Sequence, residues 1–186
     1  MDTAGGGWTV IQRRQDGSVT FDRTWEEYKH GFGNKNGEYW LGNDNIHRLT
    51  TQKNYHLRIV MLGWDSEWRY AEYDTFRVAS ESYGYFLTIS GYSGTAGDSM
   101  AGDNPTNNGM VFSTVDRDND VWPRGSCSQD YGQGGWWFRD CSLSFLNGRY
   151  LGNCGNSCNP GQGVMWYKWR GDTYSLKSVS MAIRPR

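Results

Sequence analysis

The apolar and polar positions of this chain fall into three textures. Between Trp8 and Arg14 they alternate well enough for a strand, and Asp16-Gly17 reads as the turn after it. Helical spacing follows, with Trp25, Tyr28 and Phe32 on one face and Asp22 or Thr24 as the cap. A second short helix is expected to start at Asn43 or Asp44 and to carry Ile46 and Leu49. Three runs, Tyr55 to Leu62, Glu67 to Val78 and Tyr85 to Ser90, read as strands whose sequential order favours an antiparallel sheet. From Gly91 onward periodicity disappears for about seventy residues; an insert of that length is usually functional or disordered, and its cysteines and tryptophans argue against disorder. Regularity returns at Val164 to Trp169, and Tyr174 to Ile183 offers a last strand with Leu176, Val179, Met181 and Ile183 as its apolar positions.

The fold class expected from this pattern is α+β, mainly β: a central twisted antiparallel sheet with short helices and a loop-rich subdomain. The sheet part should comprise about residues 1–90 plus 172–186, and the loop-rich part about 91–171. A length of 186 residues suits a single domain in which the two parts share one core.

Composition sharpens this picture. With 25 Gly, 10 Trp and 12 Tyr, the chain suits irregular, aromatic-packed loops better than a long-helix bundle. Charged residues are 21% and the net charge is −1, so nothing points to nucleic acid or an anionic membrane. No apolar run approaches membrane-spanning length, and Met1-Asp2-Thr3 begins no signal peptide, so the sequence reads as a mature or trimmed domain after a flexible Gly5-Gly6-Gly7 entry.

Cysteines 127, 141, 154 and 158 are even in number and sit in one segment, and three pairings are possible. The competing zinc reading fits poorly, because no histidine follows His56 and CxxxC is not a usual zinc spacing. Disulfides are therefore expected, and with them an oxidising, extracellular setting.

Four further motifs bear on chemistry. Asp116, Asp118 and Asp120 alternate, and carboxylates so placed on a curved segment can converge on one cation, although spacing alone favours a solvated acidic turn. An EF-hand is excluded, since Val121 and Cys127 stand where its glycine and glutamate are needed. Gly97-Asp98-Ser99-Met100 resembles a hydrolase start, but no histidine follows Ser99 to act as base. Arg170-Gly171-Asp172 matches the integrin tripeptide, yet three residues are a weak signal and a turn is the simpler reading; Asn104-Pro105-Thr106 is barred from glycosylation by its proline. No catalytic group assembles, so the protein is not expected to be an enzyme.

The segments GGGWTVIQRRQDGSVTF, GEYWLGNDNIHRLT, YSGTAGDSM, FSTVDRDND, GGWWFRDC, LNGRY and YSLKSVSMAIRP run in one order from residue 5 to the C-terminus. Together they closely resemble the fibrinogen-like C-terminal domain of fibrinogens, ficolins, tachylectins and angiopoietins. The resemblance implies a small disulfide-bearing subdomain ahead of this chain's first residues. It also implies a Ca2+ site built from the side chains of Asp118 and Asp120 and the carbonyls of Trp122 and Arg124, or Gly125 if the loop is one residue longer. Asp116 is expected to hydrogen-bond loop backbone instead.

The resemblance further implies a Cys127–Cys141 disulfide and a cis peptide bond between Asp140 and Cys141. A small-ligand pocket would lie beside them, with Tyr131 and Trp137 as its wall, Asp140, Cys141 and Ser142 as its floor, and Gly161-Gln162 on the far side; Trp136 would be core. Cys154 and Cys158 form an extra close pair, and Ser142 stands where lectin-like members often carry histidine. The first functional expectation is a secreted, calcium-dependent lectin-like domain for acetylated carbohydrate or microbial cell-wall ligands in innate recognition, oligomeric in its full-length form for avidity. The second is a protein-ligand module of angiopoietin or fibrinogen type that binds a receptor or peptide, supported by VMWYKWRGDTYSLK and by Ser142.

Overall fold

The computed structural model describes residues 3–4 and 7–186; Gly5, Gly6 and the first two residues lie outside the described residues. Its strands and helices, in chain order, are β1 Thr3–Ala4, β2 Trp8–Arg14, α1 Trp25–His30, β3 Phe32–Gly33, β4 Tyr39–Trp40, α2 Asn43–Gln52, β5 Tyr55–Leu62, β6 Trp68–Val78, β7 Leu87–Gly94, α3 Cys127–Asp130, β8 Ser144–Phe145, β9 Met165–Trp166, α4 Tyr167–Arg170 and β10 Ser178–Pro185.

The main sheet is antiparallel throughout, in the order β3-β4-β2-β10-β5-β6-β7, with β1 paired to β2. Strands β5, β6 and β7 are neighbours in sequence and in space, whereas the C-terminal β10 inserts between β2 and β5. Strand β2 and the last strand are thereby locked into the middle of the sheet.

Period-two alternation buries Leu57, Ile59 and Met61 of β5 with Val179, Met181 and Ile183 of β10 on one face. Helices α1 and α2 cover that face with Trp25, Tyr28 and Ile46, and the Thr50 hydroxyl accepts the Val78 amide of β6 at 3.0 Å. A register shift between Met181 and Ala182 brings Ala182 opposite Val10, and a second cluster of Trp8, Val10, Tyr39 and Ala182 forms apart from the main core. The Arg58 and Arg184 guanidiniums lie 4.7 and 4.6 Å from the Trp8 ring.

Helix α1 begins with a full capping box, in which the Thr24 hydroxyl accepts the Glu27 amide and the Glu27 carboxylate accepts the Thr24 amide. It stops at Gly31, so Phe32 lies in β3 rather than in the helix and packs edge-on against Phe21 and Tyr28. Between β7 and β10 regular structure shrinks to α3, α4 and the two-residue pair β8–β9. One apolar core nevertheless runs from the sheet (Ile59, Phe76) through Trp137 and Phe112 to Phe145 and Trp166.

Candidate functional site

The loop from Ser113 to Cys141 is held by side chains that accept or donate to its own backbone. The Asn119 amide donates to Phe112 O at 2.8 Å and its backbone N–H to the Ser113 hydroxyl at 2.9 Å. Asp116 accepts the Trp25 amide at 2.9 Å and the Thr114 hydroxyl at 2.7 Å, so it ties the loop to the start of α1 instead of bonding only within the loop.

Asp118 and Asp120 face one another. Asp118 Oδ1 accepts the Asp120 amide at 3.1 Å, while Asp120 accepts the Trp122 amide at 2.9 Å and the Cys127 amide at 2.8 Å. Burial, opposed by those two amides and reinforced by the adjacent Asp118 carboxylate, pushes the Asp120 carboxyl up to about 6. Two oxygen donors whose joint charge is unfavourable suit a hard divalent cation, which would neutralise both. No cluster of three or more His, Cys, Asp or Glu side chains is found among the described residues, so any such site would draw its remaining ligands from carbonyls and water.

Cys127 is bonded to Cys141 (S–S 2.03 Å), the Asp140–Cys141 peptide is cis, and Cys154 is bonded to Cys158. Beside the first bridge lies a cleft of about 350 Å³. Its aromatic sides are Trp122, Tyr131, Phe138, Phe145 and Tyr167; Asp140, Cys141, Ser142 and Leu143 form one edge, and Pro160, Gly161 and Asp172 the other. The Trp122 and Tyr131 rings meet at 6.0 Å, and Phe138 and Phe145 at 5.0 Å edge to face. Asp120 therefore anchors the backbone of one cleft wall, Trp122, and of the half-cystine Cys127 at once.

Two expected site residues sit differently. Trp137 is fully buried, donates its indole N–H to Tyr85 O at 2.9 Å and packs on Phe112, Trp136, Trp40 and Phe76. In this extended run neighbouring side chains diverge, and Phe138 is the one that reaches the cleft. Trp136 is core, as expected, and its indole N–H has no hydrogen-bond partner among the described residues. Gln162 does not line the cleft; its side chain accepts the Gly132 amide and donates to Asp130 O, each at 2.8 Å, clamping two loops together. Gly161 faces the cleft instead, at φ 73°, where a Cβ would meet the Tyr131 ring at 2.9 Å.

Ser142 lines the cleft, but its hydroxyl is already saturated. It donates to Ser144 O at 2.6 Å and accepts from the Asn107 side chain at 2.8 Å and the Ser144 amide at 3.1 Å, which uses its one proton and both lone pairs. Tyr131, Asp140 and Cys141 do line the cleft. The sequence reading missed Phe138, Phe145, Tyr167 and Asp172, and used Trp122 only for its carbonyl. GGWWF announces an aromatic stretch without saying which ring reaches the cleft, and Tyr167 is brought in by the long-range hydrogen bond from its amide to Leu143 O at 2.9 Å.

The hydrolase-like loop is structural: Asp98 accepts the Tyr73 hydroxyl at 2.8 Å, and the buried Ser99 hydroxyl accepts the Lys168 amide at 3.1 Å.

A two-layer globe with a helix-covered antiparallel sheet, a disulfide-edged loop region and an aromatic cleft is the fibrinogen-type architecture. The chain belongs to the family described as fibrinogen beta and gamma chains, C-terminal globular domain, which matches residues 1–186. It is 49% identical to human (Homo sapiens) fibrinogen-like protein 1 over 191 aligned positions, covering 97% of this chain and 60% of that protein. It is 48% identical to human angiopoietin-2 over 185 positions, covering 100% of this chain and 36% of that protein.

Among solved structures, the fibrinogen-like globe domain of human ANGPTL2 superposes with a TM-score of 0.90 at 49% identity, covering 98% of this chain and 82% of the other. Lamprey fibrin D-dimer, complexed with the peptide Gly-His-Arg-Pro-amide, gives 0.89 at 40% identity, covering 99% and 63%. The chain thus spans 60% of the length of fibrinogen-like protein 1 and 36% of that of angiopoietin-2. They are fibrinogen-like and angiopoietin-type proteins, which favours the second functional expectation, the protein-ligand module, over the lectin-like first one.

Proposed function

We propose that this domain is a secreted recognition module that takes a peptide segment of a protein partner in the cleft between Trp122–Tyr131 and Tyr167–Asp172. The observation that carries this reading is the cleft itself: apolar rings on its sides, carboxylates at its edges, and a Ser142 hydroxyl with no bonding capacity left for an acetamido group. Similarity to a lamprey fibrin whose structure holds a tetrapeptide supports it. Two disulfides suit an oxidising compartment, and no helix among the described residues is long and apolar enough to cross a membrane.

Calcium belongs to the same proposal. Asp118 and Asp120, with the carbonyls of Trp122 and of Arg124 or Gly125, would hold the ion, and its charge would relieve the cost of Asp120's ionisation. The backbone anchored by Asp120 would then keep Trp122 against the cleft.

A tetrapeptide-amide library and a glycan array presented to the same domain test the reading. Peptides should be retained through the cleft, with Tyr167→Ala weakening capture, and neither N-acetylglucosamine nor acetate should displace them. Binding to acetylated sugars with displacement of peptide by acetate would overturn it in favour of the lectin.

A further inference from the structure

A second hollow, of about 690 Å³, opens between residues 17–22 and 148–151 and shares no lining residue with the aromatic cleft. Arg14, only 1% exposed, lies at its floor. The Arg14 Nη1 donates to Leu146 O at 3.0 Å and to Gly148 O at 2.6 Å, and the guanidinium lies 3.9 Å from the Phe21 ring. Among the described residues, its Nε is enclosed without a hydrogen-bond partner and its Nη2 makes no hydrogen bond.

The counter-charge of Arg14 is already committed. Glu38 Oε2 accepts the amides of Gln15, Asp16 and Gly17 at 2.8, 3.2 and 3.1 Å, and Oε1 accepts the Val19 amide at 3.1 Å. Arg14 Nε stands 3.7 Å from that carboxylate, beyond hydrogen-bond reach. Burial, only partly opposed by Glu38, pushes the Arg14 guanidinium down to about 10.

Arg149 borders the same hollow, directly after the Gly148 carbonyl that Arg14 holds. Its side chain is exposed and has no hydrogen-bond or ion-pair partner among the described residues. Two guanidiniums with unused donors therefore line one cavity. The opposing charge on its wall is the exposed Asp22, whose carboxylate is likewise without a partner among the described residues.

We infer that this hollow is a binding site for a carboxylate, supplied by an acidic side chain of a protein partner or by a free organic acid. A planar, singly charged carboxylate matches the fork of a guanidinium. Inorganic phosphate, nearer two charges at neutral pH, would meet stronger repulsion from Asp22. The inference is independent of peptide capture in the cleft.

The test titrates the domain with propionate at constant ionic strength and follows backbone amide NMR shifts. The shifts should saturate and concentrate at residues 14–22 and 148–151, with phosphate binding more weakly. Arg14 belongs to the core, so the variants are made at the surface. Arg149→Gln should lower propionate affinity about tenfold, the scale of one lost charged hydrogen bond, with Tm unchanged. Asp22→Asn should act in the opposite sense and raise it by up to about fivefold, the range of an exposed charge pair. A capped peptide with one glutamate, set against its glutamine twin, separates the sources. Selective binding of the glutamate peptide supports a partner's side chain, and propionate binding without it supports a free acid. Shifts that are absent or scattered over the surface, affinity unmoved by Arg149→Gln, or tighter binding of phosphate would each overturn the inference.

Discussion

In the sheet, Tyr55–Leu62, Trp68–Tyr73 and Ser178–Pro185 are held by continuous ladders, in which backbone polar groups bond the neighbouring strand and alternation does the rest. Between residues 95 and 177 the chain is held at points: two disulfides, the Asp120 carboxylate on two amides, Asn119 on the nearby Phe112 carbonyl, and Asn107 and Gln162 each bonding backbone 30 residues away. A ladder distributes its strength over many equivalent bonds, whereas a point-held loop concentrates it in a few side chains. The cleft is built almost wholly from the second kind of structure, so its shape depends on particular atoms and its stability is borrowed from the core it shares with the sheet.

The largest break in that arrangement should come at the shared core. Trp137 sits where the two regions meet, and Trp137→Ala should cost about 3–5 kcal/mol, read by urea denaturation, with both regions unfolding in one transition. A separate early transition of the loop region would show that the core is not shared.

Next come the bridges. Replacing Cys127 and Cys141 by alanine opens a span of 14 residues and should cost about 3 kcal/mol in the chain-entropy view; the Cys154–Cys158 pair spans 4 and should cost about 2. The first substitution should also blunt peptide capture, because Cys141 lines the cleft. An equal loss from the two variants would mean that span is not what sets their contribution.

Calcium sharpens the comparison from the ligand side, since only the loop region would hold it. At a concentration a hundred times its dissociation constant, an ion bound by the native state alone adds about 2.7 kcal/mol, equivalent to roughly 5–10 °C in Tm for a chain of this size. The gain should appear on exchanging chelator for calcium and vanish in Asp120→Asn. Identical melting curves would remove the metal from the proposal.

Legibility followed the same division. Strands β2, β5 and β6 could be read from alternation because a sheet with one buried face forces period two; β5 begins and ends where the pattern does. Strands β3 and β4, two residues each, carry no period to read. In the loop region the aspartates, the cysteines and Tyr131 announce themselves by type, and the family motifs place them. What stayed hidden was orientation: nothing in GGWWF says which of three aromatics faces the cleft, because that is decided by Trp137 reaching Tyr85 across 52 positions. Gln162 was misplaced for the same reason, its partners lying 30 and 32 residues away.

The smallest expected effect tests whether every point contact matters. Arg170 is held by Asp65 and Glu67, whose side chains are 50% and 42% exposed, so water and salt compete for the pairing. Asp65→Asn with Glu67→Gln should therefore lower stability by under about 1 kcal/mol in thermal unfolding. A loss of several kcal/mol would place a real anchor at this edge and make the sheet turn at Trp64–Glu67 part of what shapes the cleft.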